Sequence, residues 1–104
     1  MPSNALEVVR RLAADERSCE FFQPVLAELR RYGLDTDDLR EIIAGELGEA
    51  HCFRSRPTEK YYPATVSDYY SYRIDVCGAR MLIKLLISGH RLVITSFKKD
   101  NRYV

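Results

Sequence analysis

Tryptophan is absent from this sequence, and cysteine and histidine are scarce: three and two in 104 residues. Cys19, Cys52 and Cys77 are widely separated, odd in number and form no C-x-x-C pair. A disulfide framework or a zinc cluster is therefore not expected, and a reducing cytoplasm is. No apolar run approaches the ~20 residues of a membrane span. The longest, Met81 to Ile87, is broken by Lys84. Nor is there the apolar core of a secretion signal, because Arg10 and Arg11 interrupt the first apolar stretch. Also missing are a glycine-rich phosphate loop, a G-x-S-x-G elbow and an H-E-x-x-H helix. These absences argue against nucleotide-loop enzymes, serine hydrolases and zinc peptidases. The expectation is a protein without cofactor, metal or membrane partner.

What is present is a charge asymmetry hidden by a net charge of +1. Residues 1–50 hold six Lys/Arg against eleven Asp/Glu, a net of −5. Residues 51–104 hold ten against four, a net of +6, together with six of the seven tyrosines. A basic, tyrosine-rich half joined to an acidic half points to nucleic acid on one side.

The acidic half has helical periodicity. Asn4 and Glu7 are spaced as a capping box before Leu6, Val8, Val9 and Leu12, which predicts a helix over Ala5–Ala14. Cys19 to Phe22 reads as a short strand or an early helical turn. Pro24 opens a second helix that ends at Tyr32, with Gly33 as its left-handed stop. Asp35 or Thr36 caps a third, whose apolar face is Leu39, Ile42, Ile43 and Leu47. Its acidic residues Asp35, Asp37, Asp38 and Glu41 fit a helix start and a solvated face rather than a catalytic carboxylate pair.

The basic half has strand patterning. Cys52–Arg56 predicts a short strand, and Thr58–Val66 a loop. Over Tyr69–Val76, Tyr70, Tyr72 and Ile74 alternate with Tyr69, Ser71 and Arg73. Ala79–Ile87 is nearly continuously apolar, as a central strand should be. Ser88-Gly89-His90 is a hairpin turn. Alternation over the last strand groups Lys98 with Leu92, Ile94 and Ser96, and Asp100–Val104 reads as a frayed tail. The fold class expected is α+β in a single domain: N-terminal helices packed on a mainly antiparallel sheet of about four strands.

One cross-strand register gathers Arg73, Lys84 and Lys98 on a common face, with Arg54 or Arg56 nearby. Cations so crowded repel unless an anion sits among them, and a phosphodiester is such an anion. Metal-free RNA cleavage needs a base for the 2′-hydroxyl, cations at phosphorus and an acid for the 5′-oxygen. Lysine, histidine and tyrosine can exchange protons, whereas arginine stays charged. Lys98, Lys84 and Tyr70 are therefore candidates for proton transfer, with His51, His90 and Tyr72 also considered. Arg56, Arg73, Arg80, Tyr72 and Lys99 are candidates for RNA contact. His90 falls in a turn tip, His51 precedes a strand, and Tyr61, Tyr62, Tyr69 and Tyr70 have the ordinary alternative role of packing.

Several strings, in order, resemble the MqsR (motility quorum-sensing regulator) toxins of the RelE-like ribonuclease fold. They are Gly33-Leu34-Asp35, Ile42-Ile43, Cys52-Phe53-Arg54-Ser55 (F-Y-K-S in the family), Asp68-Tyr69-Tyr70 (D-V-Y), Leu82-Ile83-Lys84-Leu85 (Y-I-K-L) and the closing Ser96-Phe97-Lys98. The resemblance implies a metal-independent mRNA endoribonuclease neutralised by a cognate antitoxin. It carries catalytic positions onto Arg54 and Lys98. Two departures stand out: Leu82 replaces the family's tyrosine, and Ser67 its glutamine.

Overall fold

The computed structural model describes residues 2–103. Three helices precede most of a five-stranded sheet: α1 (Leu6–Ala13), α2 (Gln23–Arg31), α3 (Thr36–Gly45), and β1 (Cys19–Phe21), β2 (Cys52–Pro57), β3 (Val66–Ile74), β4 (Ala79–Ser88) and β5 (Arg91–Lys99). The strand order is β1-β5-β4-β3-β2, so the apolar strand β4 is central. The α+β class and the N-terminal helices are as the sequence predicts. The sheet has one strand more, because Cys19–Phe21 pairs parallel to Leu92–Ile94 at the edge. The other pairings are antiparallel.

The local sequence explains the helix ends. Asp35 and Asp38 form a reciprocal capping box, each carboxylate accepting the other's backbone N–H at 2.9 Å. After α2, Gly33 (φ +72°) lets its own N–H reach the Arg30 carbonyl and the Leu34 N–H reach that of Leu29. That pair of bonds is a Schellman stop. The expected box at Asn4 does not form. Ala5 precedes α1 without a side-chain cap. Asn4 and Ser3 are instead drawn to the buried Asp68 carboxylate, which accepts both backbone N–H groups, the Asn4 amide and the Ser55 hydroxyl.

One face of the sheet meets the helices. Leu6, Val9 and Ala13 of α1, Val25 and Leu29 of α2, and Leu39 and Ile43 of α3 join Met81, Ile83, Leu85, Leu92, Ile94 and Phe97 in the main core. Two bulges set which side chains reach the other face. In β5, Thr95 is an extra residue: Lys84 pairs Ser96, but Leu85 pairs Ile94. In β2, Phe53 is extra, between the pairs Cys52–Tyr70 and Arg54–Tyr69. Each bulge reverses the alternation of its strand.

Candidate functional site

The face away from the helices is organised in rows across the strands. The first is Arg56, Ser67, Leu86, Val93 and Glu20. The second is Arg54, Tyr69, Lys84 and Ser96, and the third is Ser71, Leu82 and Lys98. Arg73 and Arg80 make a fourth. Successive rows are about 7 Å apart, two residues along a strand.

Two segments cross this face. The β2–β3 loop, residues 58–65, spans the first row. It is fixed by Thr58 to Ser67 (2.8 Å) at one end and by the Tyr62 hydroxyl donating to Glu20 (2.8 Å) at the other. Leu86 and Val93, lying between those anchors, are buried although they face away from the helices. The hydrogen bond to Glu20, with burial second, raises the Tyr62 phenol above its usual range. At the opposite end, residues 100–103 turn back over the third and fourth rows. Asp100 is only 4% exposed. Its backbone N–H donates to the Arg80 carbonyl, and its carboxylate accepts from Ser71 and Arg102. Arg102 lies over the Phe53 ring, 3.4 Å from the centroid. Asp100 to Arg102 are thus a tied strap rather than the frayed end read from the sequence; Val104 lies outside the described residues. The Arg102 hydrogen bond chiefly holds the Asp100 carboxyl at about 2, against the desolvation that opposes it.

Between loop and strap lies the second row, a trough that opens into a cleft of about 260 Å³ under the loop. Lys84 and Tyr69 form its floor, the Lys84 ammonium 5.1 Å from the centre of the Tyr69 ring. Arg56, Lys60, Ser67 and Ser96 stand around it. Among the described residues, no carboxylate comes within ion-pairing distance of Arg54, Arg56, Lys84 or Lys98.

The structure brings together Arg54, Arg56, Lys84 and Lys98 on this face, with Arg73 and Arg80 in the fourth row. Lys98 is there for a reason that simple alternation misses. The Thr95 bulge separates it from Leu92 and Ile94 and groups it with Val93 and Ser96. Lys98 is exposed beside the cleft, and Lys84 lines it. Arg73 is drawn outward toward Asp75, at 3.4 Å.

Three candidates are not part of the site. Tyr70 is on the helix face, fully buried, its hydroxyl without a partner. Burial, with the nearby Cys52 and Asp68, pushes its phenol far above the ordinary range. Tyr72 is also on the helix side, where its hydroxyl donates to Glu46 (2.7 Å) and its ring meets His51 edge-on. Lys99 pairs with Met81 and falls on the helix-side face of the ladder. The histidines lie elsewhere: His51 accepts the Gly48 N–H through Nδ1, and His90 is exposed in the β4–β5 turn.

Sequence reasoning assigned no site role to Tyr69, Lys60 or Ser96. Tyr69 was recoverable from its place beside Arg73 in the alternation. Lys60 was not, since only the folded loop carries it over the sheet. Among the described residues, no three His, Cys, Asp or Glu side chains converge as metal ligands, and no helix is long and apolar enough to cross a membrane. No protein-family model matches the chain, and no curated protein matches it.

Proposed function

We propose that the protein is an RNA-directed toxin of the MqsR-like kind, a metal-independent endoribonuclease acting on mRNA in the cytoplasm and held in check by a partner antitoxin. The observation that carries this reading is the cation set Arg54, Arg56, Lys84 and Lys98 along an open trough, with no carboxylate at ion-pairing distance among the described residues. Four such charges on one face favour a chain of phosphates, which supplies negative charge at regular intervals.

Cleavage would follow the ordinary internal route. The 2′-oxygen loses its proton, bonds to phosphorus and expels the 5′-oxygen, leaving a 2′,3′-cyclic phosphate. Arg54 and Arg56 hold phosphate oxygens without exchanging protons. Lys84 and Lys98 offset the charge gained at phosphorus, and Lys98 donates to the leaving oxygen. Glu59, the carboxylate lining the cleft, is the group suited to receive the 2′-proton, and the Tyr69 hydroxyl on its floor can donate a hydrogen bond to a phosphate oxygen.

A second reading, RNA binding without cleavage, is favoured by Leu82. It stands directly across the ladder from Lys98 and offers no proton where the resemblance has a tyrosine. The test is incubation of purified protein with end-labelled mRNA in the presence of a chelator. Discrete fragments bearing cyclic phosphate ends support the nuclease. Retention of intact RNA supports the binding module, and no interaction with RNA overturns both.

A further inference from the structure

The β2–β3 loop holds one side chain in a costly position. The Tyr62 N–H donates to the Lys60 carbonyl at 2.8 Å, closing a three-residue turn around Tyr61 at φ +69°. A bulky side chain rarely adopts that backbone conformation, and such turns are strained. Burial does not offset the strain, since Tyr61 is 80% exposed. Phe22 braces it instead, meeting Tyr61 edge-on (6.0 Å, 84°) and Tyr62 in a stacked arrangement (6.2 Å, 29°). A phenol is thus held among the residues lining the cleft, over a floor that carries Lys84 and beside Arg56 and the Ser96 hydroxyl.

We infer that this cleft seats one unstacked nucleobase of single-stranded RNA, stacked on Tyr61, with the flanking phosphates on Lys84 and Arg56. The inference rests on the RNA reading of the trough and adds what lies beside the phosphate path. An aromatic face takes any base, the Ser96 hydroxyl addresses its polar edge, and the adjoining cations match the charge that accompanies a base and no neutral ligand.

The chain has no tryptophan, so Tyr61→Trp introduces a single indole at the seat. The full-length variant is titrated with a labelled 2′-O-methyl oligonucleotide and with an abasic strand of equal length. Anisotropy reports binding of both, and indole emission reports stacking. The base-containing strand should bind about tenfold more tightly and quench the indole, the abasic strand leaving it unquenched. Equal affinities with no quenching would overturn the base seat and leave the phosphate trough standing. Failure of both strands to bind would overturn both. An acidic aromatic peptide that quenches the indole where the oligonucleotide does not would assign the cleft to a protein partner and also overturn the seat.

Tyr61→Gly separates stacking from folding. Glycine relaxes the φ, so the melting temperature should hold or rise while the tenfold preference for bases disappears. Tyr61→Phe should keep that preference. A Tyr61→Gly protein that retains it contradicts the proposal.

Discussion

Lys98 stands opposite Leu82 in the β4–β5 ladder, on the face away from the helices, because Thr95 is accommodated as an extra residue. Were Thr95 to pair with Lys84 in a regular ladder, Phe97 would exchange faces with Lys98. Deleting Thr95 should only close the bulge and leave both residues on their present faces, whereas inserting one alanine between Ser96 and Phe97 should expose the buried Phe97 and turn Lys98 toward the core. The expected cost of the insertion is about 3 kcal/mol or more, read as a lower urea midpoint. An unchanged midpoint after the insertion would mean that this register does not set the faces.

The trough cations should be visible in salt dependence. Each phosphate contact on a single strand contributes about 0.7 to the slope of log affinity against log salt, so four contacts give about −3. Lys84→Ala or Arg54→Ala should each flatten the slope by about 0.7. Lys99→Ala, on the helix-side face, should leave it unchanged. Binding assays between 50 and 200 mM salt make the comparison, on the order of the range over which such contacts respond.

Tyr70 tests the division between the two faces. Its hydroxyl is buried and unpartnered, so Tyr70→Phe removes a desolvated polar group at no loss of shape. Stability should stay constant or rise by about 1 kcal/mol, and RNA cleavage should not change. A loss of cleavage with a normal melting curve would return Tyr70 to the mechanism.

Asp100 predicts an acid response. Its carboxyl lies at about 2 in the fold against an ordinary 3.8, chiefly through the Arg102 hydrogen bond. The folded protein thus holds the ionised form more tightly than the unfolded chain does. The resulting stability, on the order of 2 kcal/mol, is fully present above about pH 4 and is lost as pH falls toward 2. Asp100→Asn should lower stability near neutrality and flatten the decline between pH 4 and 2. A variant whose urea midpoints track the wild type throughout would show that the strap contributes nothing.

The parts of the fold that follow from local pattern were readable from the residues. Asp35 and Gly33 mark helix ends by chemistry that operates within a few residues, and the alternation from Tyr69 to Ile74 assigns faces correctly. The shift of Lys98 is different in kind. Thr95 carries no mark of a bulge, because a bulge exists only relative to the strand paired with it. The parallel pairing of Cys19–Phe21 joins segments some seventy residues apart, and its three residues are too few for a periodic signal. Asn4 was read as a cap because its competitor, the Asp68 carboxylate, is distant in sequence. Asp100 and Arg102 resembled a solvated tail until Ser71 and Phe53 supplied their partners. The grouping of cations on one face follows from a cross-strand register that the alternation suggests, whereas the loop that roofs the cleft has no such local signal.

The most direct test is RNA cleavage by wild type, Lys98→Ala and Lys99→Ala, with melting temperature measured alongside. Lys98 and Lys99 are adjacent and both exposed, yet fall on opposite faces of the same strand. Each substitution should alter stability by no more than about 0.5 kcal/mol. The account predicts that Lys98→Ala abolishes cleavage while Lys99→Ala cleaves as wild type does. Equal cleavage by wild type and Lys98→Ala, or equal loss in both variants, would contradict it.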